Sequence, residues 1–198
     1  MSVQPEILRL AETVAGIAHA ESIDVVVIGA AAAAAHGYIR ATTDLDFASA
    51  VDPYRDLPRL QQALRATGLH TELSQPEPDD PIGGMLRVWE LEDEDGDPIR
   101  PVEIVNLINP HHIVKLPRAD ILRDAVSIPG SALRYISLPH LVLLKLYAGS
   151  RKDLADVVEL LVANPEVDAS ALSALCKHWG LDSIDELVAE ANDERQRR

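Results

Sequence analysis

The sequence predicts an α+β fold in which a mixed β-sheet is flanked by helices and followed by a C-terminal helical unit. Three observations lead there. Residues 25–47, VVVIGAAAAAAHGYIRATTDLDF, run from a β-branched stretch through a glycine into a short alanine helix and on to a second strand. Residues 85–107 hold two apolar stretches on either side of an acidic EDEDGD turn, the pattern of a hairpin. From Leu138 onward, apolar residues recur at helical rather than strand spacing.

Taken in order, Ile7, Leu8, Leu10, Val14, Ile17 and Ala18 predict a helix over 5–20. The continuous β-branched run Val25 to Ile28 predicts a central strand buried on both faces. Gly29 ends it. Ala30 to Ala35 form a helix thin enough to pack closely on the sheet, and Gly37 closes that helix. Leu45 to Ala48 give the second strand. A helix over 53–67, stopped by Gly68, leads to a strand over 69–73. SQPEPDDPIGG at 74–84 is rich in proline, glycine and acid and reads as an exposed loop. Strands over 85–91 and 99–107 form the hairpin, and strands over 125–128 and 132–136 flank a Pro129-Gly130 turn. Helices are expected over 138–148, 153–162, 169–179 and 184–191, with Ser137 and Ser183 as N-caps and Pro139 in a first turn. The expected organisation is a core over 1–136 with a helical region, 137–198, packed on it.

Bulk properties narrow the class. The 198 residues suit one domain, and 47% hydrophobic content supplies a core built from aliphatic residues, since only 4% are aromatic. The single cysteine, Cys176, allows no intrachain disulfide and lies in an apolar helical pattern, which makes it a core residue in a reducing compartment. Glu6, Arg9 and Glu12 fall where a signal peptide would need an unbroken apolar stretch. The longest apolar run, Val25 to Ala35, is too short to span a bilayer. A soluble, cytoplasmic protein with no membrane partner is expected. The net charge of −14 argues against indiscriminate nucleic-acid binding. Residues 104–152 differ, carrying Lys115, Arg118, Arg123, Arg134, Lys145, Arg151 and Lys152 against Asp120 and Asp124, a net of +5. That segment is either a dock for a polyanion or an ordinary mixed surface.

Asp44 and Asp46 stand two apart on a strand, so their side chains share a face while Leu45 turns into the core. Neighbouring carboxylates repel each other unless a cation sits between them, and a hard divalent ion such as Mg2+ suits all-oxygen ligands. A solvated strand end would explain the pair without an ion. Glu103, alternating with Val102 and Ile104, is an isolated acid in an apolar strand, which is expensive unless paired or metal-bound. Other site types are absent: His111 and His112 are adjacent rather than spaced for zinc, and there is neither a GxxxxGK[ST] nor a GxGxxG motif. His36, before Gly37, reads as a packing or capping residue.

Gly29, the helix after it, Arg40, Thr43, Asp44 and Asp46 resemble the signature of the DNA polymerase β-like nucleotidyltransferase superfamily. The longer strings HGYIRATTDLDF at 36–47 and LPHLVLLKLYAGSRKDLADVVELL at 138–161 resemble a narrower group. Its members are bacterial nucleotidyltransferase-domain proteins related to the AbiEii-like toxins of toxin–antitoxin and phage-defence systems. The resemblance covers residues 20–162.

It implies a nucleotidyltransferase fold and transfer of NMP from an NTP to an acceptor hydroxyl, assisted by two Mg2+ ions. Asp44 and Asp46 match the metal-binding pair, and Glu103 is the candidate for the third carboxylate, which holds one ion and assists deprotonation of the acceptor. Lys145 matches a lysine that contacts the triphosphate; as a residue of an apolar helix it otherwise snorkels to solvent. Asp156, in the KDxxD element, would position Lys145 or the acceptor. Gly29, Ala30, Arg40, Thr43 and Lys152 complete the implied nucleotide-binding set, with Thr42 and Thr43 orienting the loop. Arg40 either reaches phosphate or fixes the Asp44 loop through an ion pair. The chain has Ala30 where serine or glycine is commonest; alanine loses a hydroxyl contact and keeps the N–H.

The implied acceptor is a macromolecule, RNA (tRNA ends among them) or protein, with a cognate toxin or antitoxin as a further partner. Two alternatives are an inactive module that binds nucleotide or a partner protein, and an aminoglycoside-type small-molecule enzyme. Ala30 speaks for the inactive module and Glu103 against it. The acidic 74–97 stretch keeps the small-molecule reading alive.

Overall fold

The computed structural model describes residues 5–111 and 116–198. Helix α1 (Pro5–Ala20) leads into β1 (Val26–Val27), α2 (Gly29–Ala35) and β2 (Leu45–Ser49). Helix α3 (Asp56–Ala66), β3 (His70–Ser74) and β4 (Met85–Trp89) follow, then β5 (Leu91–Glu92), β6 (Pro98–Ile99) and β7 (Val102–Asn106). Helix α4 (Arg118–Arg123), β8 (Val126–Ser127) and β9 (Arg134–Tyr135) precede α5 (Leu138–Ala148), α6 (Arg151–Ala163), α7 (Ala169–His178) and α8 (Ile184–Arg197). The α+β expectation and most boundaries hold to within a few residues. Helix α4 was not anticipated, and β1 is shorter than its apolar run.

Among the described residues, seven strands form one mixed sheet in the order β3-β4-β7-β2-β1-β9-β8. β2 and β7 are parallel, as are β1 and β9, while the remaining pairs are antiparallel. The anticipated hairpin is the β4–β7 pair, prolonged beyond the sheet by the two-stranded β5–β6 tip around the acidic turn. Val26 and Val27 are fully buried between β2 and β9, as a central strand requires.

Side-chain alternation divides the sheet chemically. Leu45, Phe47, Leu86, Val88, Val102 and Ile104 share one face and are fully buried or nearly so. At the same strands, the opposite face carries Asp46, Glu103 and Arg87, all only part-buried. Helices α1 and α3 pack on β2, β7, β3 and β4, and α2 packs on β2 and α5. Burial of the apolar face, at roughly 1.5–3 kcal/mol per large aliphatic side chain, is what fixes the strand register. That register presents the acids on the other side.

The C-terminal helices are tied down by specific caps. Ser150 accepts a hydrogen bond from the Asp153 N–H, and Asp168 accepts from Ser170 and Ala171. Ser137 and Ser183 occupy the expected positions but make no capping bond; the Ser137 hydroxyl instead shares a 2.9 Å hydrogen bond with His140 Nδ1. Cys176 is fully buried, and burial pushes its thiol up to about 11, so it is a core residue as expected. Among the described residues, no helix is long and apolar enough to cross a membrane.

Candidate active site

Asp44 ends the loop before β2 and Asp46 is the second residue of that strand. Strand register sets Asp46 directly beside Glu103 on the parallel neighbour β7. Carboxylate oxygens of Asp44, Asp46 and Glu103 all lie within 4.8 Å of one another. The isolated acid and the spaced pair therefore converge on one spot, as the resemblance implies. Thr42 holds Asp44 in place, its hydroxyl donating to Oδ1 at 2.5 Å. Thr43 is exposed and makes no hydrogen bond among the described residues, so the hydroxyl that orients the loop is that of Thr42.

The cluster carries an electrostatic load. Burial, followed by the Asp44 and Glu103 carboxylates, pushes the Asp46 carboxyl up to about 6 against the pull of Arg40 and Lys145. Three oxygen donors at this separation, one of them holding its proton far above the usual carboxylate range, match the demands of a hard divalent cation. The residues fit Mg2+.

Gly29 has a specific reason to be glycine. It sits at φ +62°, in the left-handed region, and a Cβ there would fall 2.0 Å from Asp46 Oδ2. The carboxylate thus rests on the bare glycine backbone that opens α2. Ala30 is buried at the same turn, whose N–H groups lack intrahelical acceptors. His36 donates Nε2–H to the Ile136 carbonyl at 2.7 Å and links the end of α2 to the strand region before α5.

A second constellation flanks the acids. Lys145 is buried, with Nζ 2.6 Å from Asp156 Oδ2 and 3.2 Å from Asp153 Oδ1, so it does not snorkel to solvent. Arg40 Nε lies 3.2 Å from the same Asp156 oxygen, a charge contact without hydrogen-bond alignment, and this buried N–H has no acceptor among the described residues. Arg40 thus pairs with Asp156 and not with the Asp44 loop. Asp156, itself buried, gathers Lys145 and Arg40 on the flank of Asp46. Breaking such a buried pair leaves an uncompensated charge. Asp156→Asn is expected to destabilise the protein by about 3 kcal/mol, the low end of such losses because Asp153 still faces Lys145. Urea denaturation checks this; an unchanged midpoint would show the pair to be energetically idle.

Lys152 is exposed in the first turn of α6 and forms no ion pair among the described residues, so it stands apart from this group. His111 bonds Tyr54 at 2.8 Å on the surface, and His112 and Lys115 lie outside the described residues. Arg87 was missed. On β4 it pairs in register with Glu103 and donates Nε–H to Oε1 at 2.8 Å. The alternation of Met85, Arg87 and Trp89 with buried Leu86 and Val88 placed it on the open face, but no local signal names its partner.

No family model matches the chain, and no curated protein matches it. Solved structures do. The crystal structure of ANT(2'')-Ia in complex with adenylyl-2''-tobramycin shares 14% identity at a TM-score of 0.54, over 87% of this chain and 95% of that one. The solution structure of the antibiotic-resistance factor ANT(2'')-Ia gives 15% and 0.55, over 96% and 97%. An antigenic nucleotidyltransferase-like protein from Paracoccidioides brasiliensis gives 18% and 0.53, over 94% of each chain. At these identities the likeness is one of architecture: the chain has the nucleotidyltransferase fold.

Proposed function

We propose that this protein is a Mg2+-dependent nucleotidyltransferase that moves NMP from an NTP to an acceptor hydroxyl. The observation that carries the reading is the convergence of Asp44, Asp46 and Glu103 oxygens within 4.8 Å on the open face of β2 and β7. Asp44 and Asp46 would hold two Mg2+ ions, with Glu103 completing the ligand set. Magnesium, when bound, supplies the positive charge that neutralises attacking oxygen and departing pyrophosphate.

The chain's own groups do the rest. Glu103 is the acid placed to accept the acceptor hydroxyl proton. Arg40, with its unsatisfied Nε–H, and Lys145 lie beside Asp46 as the cations for the triphosphate, and Asp156 keeps them together. Gly29 and Ala30 offer backbone N–H groups to phosphate oxygen. Thr43 and Lys152, exposed at the margin, are left as contacts to a larger ligand. In this reading residues 1–136 form the catalytic core, and 137–198 supply Lys145 and Asp156 to it.

Charge distribution favours a small cationic acceptor over RNA. Within the basic 104–152 segment, whose net of +5 already counts Asp120 and Asp124, Lys145 is turned inward to Asp153 and Asp156. Glu72 and Asp97 line a cleft together with Arg87, the residue that bonds Glu103. The aminoglycoside-bearing relative of similar architecture agrees with this choice. A toxin–antitoxin role, with a macromolecular acceptor and a cognate partner, rests on the motif resemblance alone.

The test is label transfer. The protein is incubated with Mg2+ and each α-labelled NTP, offering total RNA, cell protein or a panel of hydroxylated polyamines of aminoglycoside type. Transfer to the small-molecule panel is expected, lost on chelation and in an Asp44→Ala/Asp46→Ala variant. Tight nucleotide binding without transfer to any acceptor would replace the enzyme by a binding module. Labelled RNA or protein would restore the macromolecular acceptor.

A further inference from the structure

Across four strands of the open face, register sets Asp46, Glu103, Arg87 and Glu72 side by side in one transverse row. Two donors of Arg87, Nε and Nη2, converge on the single oxygen Oε1 of Glu103, each at 2.8 Å. Its remaining nitrogen, Nη1, lies 3.7 Å from Oε2 of Glu72. The guanidinium is thus suspended between an acid of the metal cluster and an acid of the edge strand. Glu103 is largely buried, its side chain 15% exposed, whereas Glu72 is 63% exposed.

We infer that Arg87 is the internal cation of the third carboxylate, which holds Glu103 until a divalent ion arrives and then transfers to Glu72. This rests on the metal-site reading above. A divalent ion sharing Glu103 would stand within a few ångströms of the guanidinium, where two positive centres repel strongly at the effective dielectric of a partly buried site. Arg87 therefore lowers the affinity of the free protein for metal. It also spares Glu103 the cost of lying uncompensated in an apolar strand. Glu72 lowers the penalty of filling the site because it offers the displaced guanidinium a carboxylate one strand away. Its exposure leaves it free to move toward Arg87.

The experiment is Mn2+ binding to the full chain without nucleotide, followed by the electron paramagnetic resonance signal of free Mn2+. Arg87→Gln is expected to bind Mn2+ about tenfold more tightly or better, and Arg87→Lys, which keeps the charge, to stay near wild type. Glu72→Gln removes the waiting partner and is expected to bind about threefold more weakly, reflecting a surface-type ion pair. Equal or weaker binding by a folded Arg87→Gln variant overturns the inference. If that variant does not fold, Glu72→Gln still decides, since it leaves the Arg87–Glu103 pair intact; unchanged affinity there overturns the exchange. Wild-type Mn2+ binding that persists in an Asp44→Asn/Asp46→Asn variant would instead place the ion elsewhere and remove the site reading beneath it.

Discussion

Asp46→Asn is expected to make the metal-free protein more stable at neutral pH while lowering nucleotidyl transfer by about a thousandfold, as loss of several kcal/mol of charge stabilisation requires. The two effects have one origin. Folding raises the Asp46 carboxyl from 3.8 to about 6, so the folded state prefers the protonated acid. Its contribution to stability is fully present below the unfolded value and is lost as pH rises through about 6. Above that, the ionised carboxylate opposes folding by roughly 3 kcal/mol, at 1.36 kcal/mol per unit. Asparagine keeps the shape and removes the charge, which should recover about 1–2 kcal/mol, a few degrees in melting temperature for a chain of this size. Thermal melts across pH, with and without Mg2+, check this. Wild type should lose melting temperature as pH rises through about 6 without metal and regain it with Mg2+, whereas Asp46→Asn should lack this fall and gain less from Mg2+. Parallel pH profiles for the two proteins would mean that Asp46 is not the strained member of the cluster.

The part of this site that was legible in the sequence is the part made by local chemistry. Gly29 between a β-branched run and an alanine helix, and two aspartates of matching strand parity, declare themselves within about twenty residues. Glu103 declared itself by its cost, as an acid among Val102, Ile104 and Val105. What could not be read are pairings set by register and by long-range packing. Arg87 reaches Glu103 because β4 and β7 pair with those two residues opposite each other, and no strand sequence states its own register. Arg40 turns to Asp156 rather than to its near neighbour Asp44 because α6 packs in from more than a hundred residues away. The basic charge of 104–152 was real, but the partners of its buried Lys145, Asp153 and Asp156, lie just beyond the segment. Helix α4 escaped notice because six residues are fewer than two turns, too few to show a period.

Gly29→Ala carries the other large effect, and it separates a backbone cost from a functional one. Alanine at φ +62° costs about 1–2 kcal/mol for the left-handed conformation alone. Its Cβ would also stand 2.0 Å from Asp46 Oδ2 and 3.0 Å from Asp46 Cγ, closer than non-bonded atoms tolerate. Asp46 cannot yield through its backbone, because β2 is hydrogen-bonded to β1 and β7 on its two sides. Its carboxylate must therefore rotate off the shared spot, or α2 must lift from the sheet. Either shift moves a ligand oxygen by about 1 Å or more, enough to lower transfer by about a hundredfold and to weaken Mn2+ binding. Gly37 is the matched control. It has φ +88°, but a Cβ there meets only the Ala163 methyl at 3.7 Å, an ordinary contact. Gly37→Ala should lose comparable thermal stability and keep both Mn2+ affinity and transfer. If the two variants lose activity in step with stability, the glycine beneath Asp46 serves the backbone alone, and its contact with the carboxylate is incidental.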